Sequence, residues 1–248
     1  MITACSNSQQ KKELKETVSI DSLQTKHLVF PENLKTRFEI DSISCGLNFK
    51  LGNNYRVEKS EIEKQRTGLS RKYLNLSDEI EQSALLDSLG MVFTSLLLNN
   101  IIPHWYGTEW DFNGYTSIPN EGVIACGYFV STTLKDMGLN LNRYKLAQQG
   151  PENEAKSIAL NVSEMLHFDE KNINEKLQNL DQGIYFIGLD NHVGYLYING
   201  TNAYFIHSNY IEGKVMIENT RFSKAFYSTN YYISTITDNS SLMDKWLK

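Results

Sequence analysis

The sequence predicts an α+β fold, with a helical N-terminal half packed on a C-terminal antiparallel sheet. Three observations lead there. Apolar residues recur at helical spacing through residues 57–180. From Gly183 onward the pattern shifts to short aromatic and β-branched runs, the composition of strands. Between two of those runs stands Asn199-Gly200, a strong short-range hairpin signal, and helices followed by a block of strands fit α+β architecture better than alternating α/β. A chain of 248 residues can bury one generous core. We divide it into a tether over 1–30 and a single domain over 31–248, with a helical part near 57–180 and a sheet near 183–238.

Residues 6–30 are rich in Ser, Gln, Lys and Glu without a sustained period, as a solvated tether would be. Ahead of them, Ile2-Thr3-Ala4-Cys5 fits a bacterial lipobox. That makes Cys5 a candidate lipidation site and places the protein at the bacterial cell envelope. The alternative is a frayed terminus. Residues 35–56 read as short strands or loops, and Cys45 within them as buried filler. A polar helix spans 57–74. A stronger one follows with Ser77 as cap, acidic Asp78 and Glu79 in its first turn, and an end at the Asn pair before Pro103. Its apolar stretch, 86–102, is interrupted by Asp87, Ser88, Ser95, Asn99 and Asn100, so no membrane span is expected.

The loop over 103–122 carries His104, Trp105, Tyr106, Trp110, Phe112 and Tyr115. Such rings either pack as a satellite core or wall a groove, and we carry both readings; His104 is expected at the surface. Pro151 opens a helix reaching Leu166, with His167 at its C-terminal end complementing the macrodipole. A shorter helix over 172–180 leads into strands at 183–189, 192–198, 201–207, 214–218 and 231–236, and a surface helix over 241–248 closes the chain.

The chemistry centres on Cys126. A Gly- and Asn-rich approach stops at Gly122, and apolar residues then fall at helical spacing through Phe129, Val130, Leu134 and Met137. Cys126 therefore sits in a first helical turn, where unpaired N–H groups and the macrodipole favour a thiolate. A Cys in that place is also an ordinary small hydrophobe, so partners decide. With Asn199 and Gly200 as the two central turn residues, Ile198 faces Thr201, and counting outward His192 faces His207 on one side of the hairpin. A longer loop would leave the two imidazoles diagonal.

A Cys opening a helix, then His192-Val193-Gly194-Tyr195-Leu196-Tyr197-Ile198, then Tyr204-Phe205-Ile206-His207-Ser208 resembles the NlpC-type cell-wall cysteine peptidases, a papain-like group. The similarity covers about residues 100–210. It implies a papain-like fold, Cys126 as nucleophile, His192 as base and a third polar residue on the next strand. His207 fills that third place, with Asn209 as the alternative two residues along the same face. The segment 103–108 resembles the family's aromatic-Gly stretch, which points to Tyr106 beside the oxyanion. Trp105, Trp110 and Asn209 join it as candidate substrate contacts. The chain departs from the family at Ala125 and Gly127, where Asp and Ser typically help to hold the substrate's amino group.

The expected activity is that of a cysteine peptidase or amidase on peptidoglycan peptides or related peptides. The alternatives are an acyltransferase or thioesterase on lipid or acyl substrates, and a non-catalytic envelope lipoprotein that binds through the same groove. Twenty-four basic against 29 acidic residues, without long single-sign runs, argue against a nucleic-acid partner. Three widely spaced Cys residues exclude a disulfide framework and a Cys-based zinc site, and one carboxylate at Asp111 makes no metal site. No cofactor is expected. The partners are a peptide substrate and, through Cys5, a membrane; the chain is expected to be a monomer.

Overall fold

The computed structural model describes residues 45–248 except 48 and 172. Cys5 and the tether over 1–30 lie outside the described residues. Helix α1 (Tyr55–Leu74) starts early because the Asn54 side chain accepts the Val57 N–H. Helix α2 (Glu79–Leu96) is capped by Asp78, not by Ser77: one carboxylate oxygen takes the N–H groups of Ile80 and Glu81.

The expected stop at the Asn pair does not occur. The helix widens into a π turn (Leu97–Ile101) and ends in an α turn (Ile102–Trp105). Pro103 lacks an N–H, and its ring would crowd the carbonyl four residues back. The wide turn, in which the Ile102 N–H reaches Leu97 O, absorbs both defects. By length and composition the 27-residue run Glu79–Trp105 contains an 18-residue window of mean hydropathy 1.5, apolar enough to cross a membrane. In the fold, however, Phe93, Leu97, Ile101, Ile102 and Trp105 are fully buried against the rest of the chain, the pattern of a core helix.

Helix α3 (Cys126–Asp136) is followed by α4 (Arg143–Ala147) and α5 (Pro151–Ala159). α5 ends seven residues before the expected Leu166, at a left-handed Leu160 (φ 61). Asn161 then caps a 3₁₀ turn, and Met165–Asp169 becomes edge strand β1 because β6 offers it a ladder. His167 therefore stands on a strand, stacked on Tyr232 at 4.8 Å, with no helix end to complement. After α6 (Ile173–Leu177) come β2 (Gly183–Gly188), β3 (Val193–Asn199), β4 (Asn202–Asn209), β5 (Lys214–Asn219) and β6 (Asn230–Thr235).

The six strands run antiparallel in the order β1-β6-β2-β3-β4-β5. Side-chain alternation gives the sheet two apolar faces. Ile184, Phe186, Tyr195 and Ile206 join the core under α2 and α3, while Tyr185, Ile187, Leu196 and Phe205 pack with α6 and Phe226. The last helix, α7 (Ser240–Leu247), is no surface appendage: Leu242, Met243, Trp246 and Leu247 are buried, and the Trp246 indole donates to Met137 O at 2.6 Å.

The β3–β4 hairpin differs from its expected register by two residues. Asn199 pairs with Asn202, so Gly200 and Thr201 are the central turn residues. Gly200, at the first of them, has φ +58, as a type II′ turn requires. Continuing that register outward sets Asn209, not His207, across from His192.

Candidate active site

Cys126 is the first residue of α3, and its N-cap, Ala125, contributes no side-chain hydrogen bond. Ala in a place that favours Ser, Asp or Asn forgoes about 1 kcal/mol of helix stability and leaves first-turn N–H groups for another acceptor. The residues leading in are fixed to both flanks. The Ile124 N–H donates to Glu109 O and the Ala125 N–H to Gly114 O, each at 2.9 Å. From the sheet, buried Ser208 donates its hydroxyl to Ile124 O at 2.7 Å. Further along α3, Thr133 Oγ1 and the Tyr195 hydroxyl meet at 2.7 Å, and Tyr195 donates to Val130 O. Helix and hairpin are thus joined by hydrogen bonds next to both halves of the site.

The sulfur is met by the N–H groups of Val193, Gly127 and Cys126 itself, all of which favour a thiolate. Burial acts against them and wins, with buried Glu154 acting in the same direction, and the thiol is pushed up to about 11. The raised acidity expected from the helix start is therefore outweighed by burial, and the resting group is a thiol.

His192 Nε2 lies 2.7 Å from His207 Nδ1, the rings nearly perpendicular. Their diagonal placement tolerates this contact because Gly194 has no side chain. A Cβ there would lie 2.6 Å from the Phe205 ring and 2.9 Å from the His207 Cβ. Phe205 stacks on His207 at 3.9 Å and presents an edge to His192.

His207 Nε2 in turn lies 2.8 Å from Glu218 Oε1, a residue that sequence reasoning left unassigned. The same oxygen receives Asn209 Nδ2 at 2.8 Å and the Ser223 hydroxyl at 2.9 Å. The one sequence signal at Glu218 was a carboxylate closing the apolar run Val215-Met216-Ile217 on the strand after that of His207, which names no partner. Asn209, although across from His192 in register, does not serve as its third residue: its side chain holds Glu218 and accepts from Ile211 and Glu212.

The network also fixes where the protons sit. Asn209 Oδ1 accepts the N–H groups of Ile211 and Glu212, so its amide nitrogen must face Glu218 and donate. Glu218 Oε1 is then an acceptor, so His207 carries its proton on Nε2 and accepts at Nδ1. His192 must donate from Nε2, and its Nδ1 keeps a free lone pair. Both imidazoles are held neutral: burial lowers His207, and burial followed by the neighbouring His207 lowers His192 well below the usual histidine value. Burial raises Glu218 against the pull of its Ser223 and Asn209 donors.

Cys126 and His192 line one cleft of about 850 Å³. Its walls are aromatic: Trp110, Phe112, Tyr115, Tyr128, Tyr210 and Tyr227. Of the loop rings that either walled a groove or packed beneath it, the two readings divide the set. Trp110, Phe112 and Tyr115 wall the cleft, whereas Trp105 and Tyr106 are away from it. Trp105 is fully buried and donates its indole N–H to Tyr55. Tyr106 packs on Phe49, and its buried hydroxyl has no partner among the described residues. Neither lines the cleft, so the expected place of Tyr106 beside the oxyanion is not found in this arrangement. His104 is buried against Tyr55 and not at the surface.

Gly127, where a Ser was the family expectation, is required by packing: a Cβ would lie 2.7 Å from Ala147 O on α4. Among the described residues no group of three or more His, Cys, Asp or Glu is placed to hold a metal ion. No family profile, no curated protein and no solved structure matches the chain.

Proposed function

We propose that the chain is a papain-like cysteine hydrolase that cleaves amide bonds through Cys126 and His192, with peptidoglycan peptides as the substrate class that its resemblance to NlpC-type enzymes suggests. The observation that carries the reading is the hydrogen-bonded order Glu218, His207, His192, which leaves a bare Nδ1 on the imidazole sharing the cleft with the thiol. Cys126 Sγ attacks the carbonyl carbon as His192 Nδ1 takes the thiol proton. The tetrahedral oxyanion is met by the uncapped N–H groups at the start of α3. Collapse breaks the C–N bond, the amine leaves with the proton from His192, and an acyl thioester remains. Water then adds to the thioester with its proton passing to His192, and the proton returns to sulfur as the acid departs.

Because thiol and imidazole both rest neutral, proton transfer accompanies attack; no preformed ion pair is needed. An envelope location through Cys5 belongs to the same proposal. One observation favours acyl transfer or deacylation as a second reading: the aromatic walls suit an apolar acyl chain as well as a peptide. Incubation with cell-wall fragments, with released ends identified by mass spectrometry, tests the first reading. New amine and carboxyl ends that vanish in Cys126→Ala are expected. Intact fragments together with an acylated Cys126 from thioester donors would move the assignment to the second reading.

A further inference from the structure

The charge of the cleft bears on what enters it, and this inference rests on Cys126 being the nucleophile. Among the described residues that line the cleft there is no Lys and no Arg. The buried Arg143 stands behind the wall and not in the lining: its guanidinium lies 5.2 Å from the Tyr128 ring and 5.1 Å from that of Tyr144, and it donates to the carbonyls of Tyr115 and Thr116. Lys224, beside the lining residue Ala225, is exposed and does not line the cleft.

One carboxylate, that of the exposed Asp190, is part of the lining. Asp190 is built in: its two oxygens receive the N–H groups of Thr229 and Asn230 and the Asn230 side-chain amide. Those donors hold it ionised, down to about 2. A second acid, Asp111, lies on the loop between Trp110 and Phe112, its carboxylate bonded to the Asn113 N–H. The remaining polar lining consists largely of carboxamides, among them Gln148, Gln149 and Asn191. An anionic chain entering this cleft would pass a carboxylate held ionised at the rim and find no counter-ion among the described lining residues, whereas a neutral amide finds ring faces and carboxamides.

We propose that the cleft selects substrates without negative charge around the scissile carbonyl: neutral amides, which among peptides means those whose nearby carboxylates are blocked as carboxamides. Free acids of the same shape are refused.

Iodoacetamide and iodoacetate are a matched neutral and anionic pair, each forming an S–C bond with loss of iodide. Their second-order rates on Cys126, resolved by peptide mass, are compared with those on a neutral small thiol such as N-acetylcysteine amide. The amide-to-acetate ratio at Cys126 is expected to exceed that of the free thiol by tenfold or more. Raising the salt concentration should speed the iodoacetate reaction several-fold and leave iodoacetamide unchanged, a measurement that needs no variant. Asp190→Asn should lower the ratio several-fold. A ratio equal to that of the free thiol, with no salt effect, overturns the charge selection and leaves the nucleophile standing. Failure of both reagents to label Cys126 overturns the nucleophile itself and the inference with it.

Discussion

Glu218 is the residue at which a functional hydrogen-bond order and an incidental polar cluster part company. In Glu218→Gln the amide oxygen can still accept from His207, Asn209 and Ser223, so the imidazole tautomers persist while the charge is lost. The expected fall in acylation rate is about tenfold. In Glu218→Leu nothing selects the tautomer, a share of His192 carries its proton on the nitrogen that must act as base, and the fall is about 100-fold. ¹⁵N shifts of the two histidines read the tautomers directly, and unchanged shifts in Glu218→Leu would contradict this assignment. Glu154 supplies a separate test. It is buried, its Oε1 has no partner among the described residues, and burial raises its carboxyl well above 4.5. A raised acid gives stability that is complete below 4.5 and is lost as pH climbs through the folded value. Glu154→Gln should therefore match the parent in mild acid and melt about 2–4 °C higher near neutrality. The histidines act oppositely. Their lowered values give stability present above their ordinary 6.5 and lost as pH falls. An identical pH–melting profile for Glu154→Gln and parent would contradict the burial of that charge.

At the scale of elements, the β3–β4 hairpin sets the distance between the two imidazoles, and Gly194 is its narrowest point. Gly194→Ala places a methyl 2.7 Å from Ile206 O as well as against His207. A loss of about 1–3 kcal/mol is expected, with a larger drop in Cys126 acylation than in folded fraction. Equal losses in both would reduce Gly194 to a packing residue. The hairpin also shows how far the sequence reached. Asn199-Gly200 marked the turn, and alternation placed His192, His207 and Asn209 on one face, because period and turn chemistry are local properties. The pairing slipped by two because Gly-Thr competes with Asn-Gly for the central positions, and the tertiary fit of the sheet decides between them. Glu218 was not legible as a partner: which residues meet across β4 and β5 depends on register, which no single strand encodes. Trp105 and Tyr106 were misplaced for a related reason. The helix runs through Pro103 by a π turn, which carries both rings into or against the core.

For the whole molecule, the helices-then-strands order was readable, since block patterning is a global property of the sequence. The role of the last helix was not, because eight residues carry little periodic signal. Trp246 from α7 is buried against Phe93 of α2 and bonded to Met137 at the end of α3, so it closes the core that holds the nucleophile helix. Trp246→Ala should cost about 3–5 kcal/mol in denaturant unfolding while the acylation rate per folded molecule stays near that of the parent. A stability change below 1 kcal/mol would contradict that closing role. The claim on which the rest depends is that His192 removes the proton from Cys126. Its most direct test is the rate at which a neutral activated ester acylates Cys126, followed by intact mass, in the parent and in His192→Ala. Near neutrality the variant should be slower by about 10²–10⁴-fold, and the gap should close as pH approaches the thiol's own value of about 11. Equal rates near neutrality, or acyl mass carried by a residue other than Cys126, would contradict it.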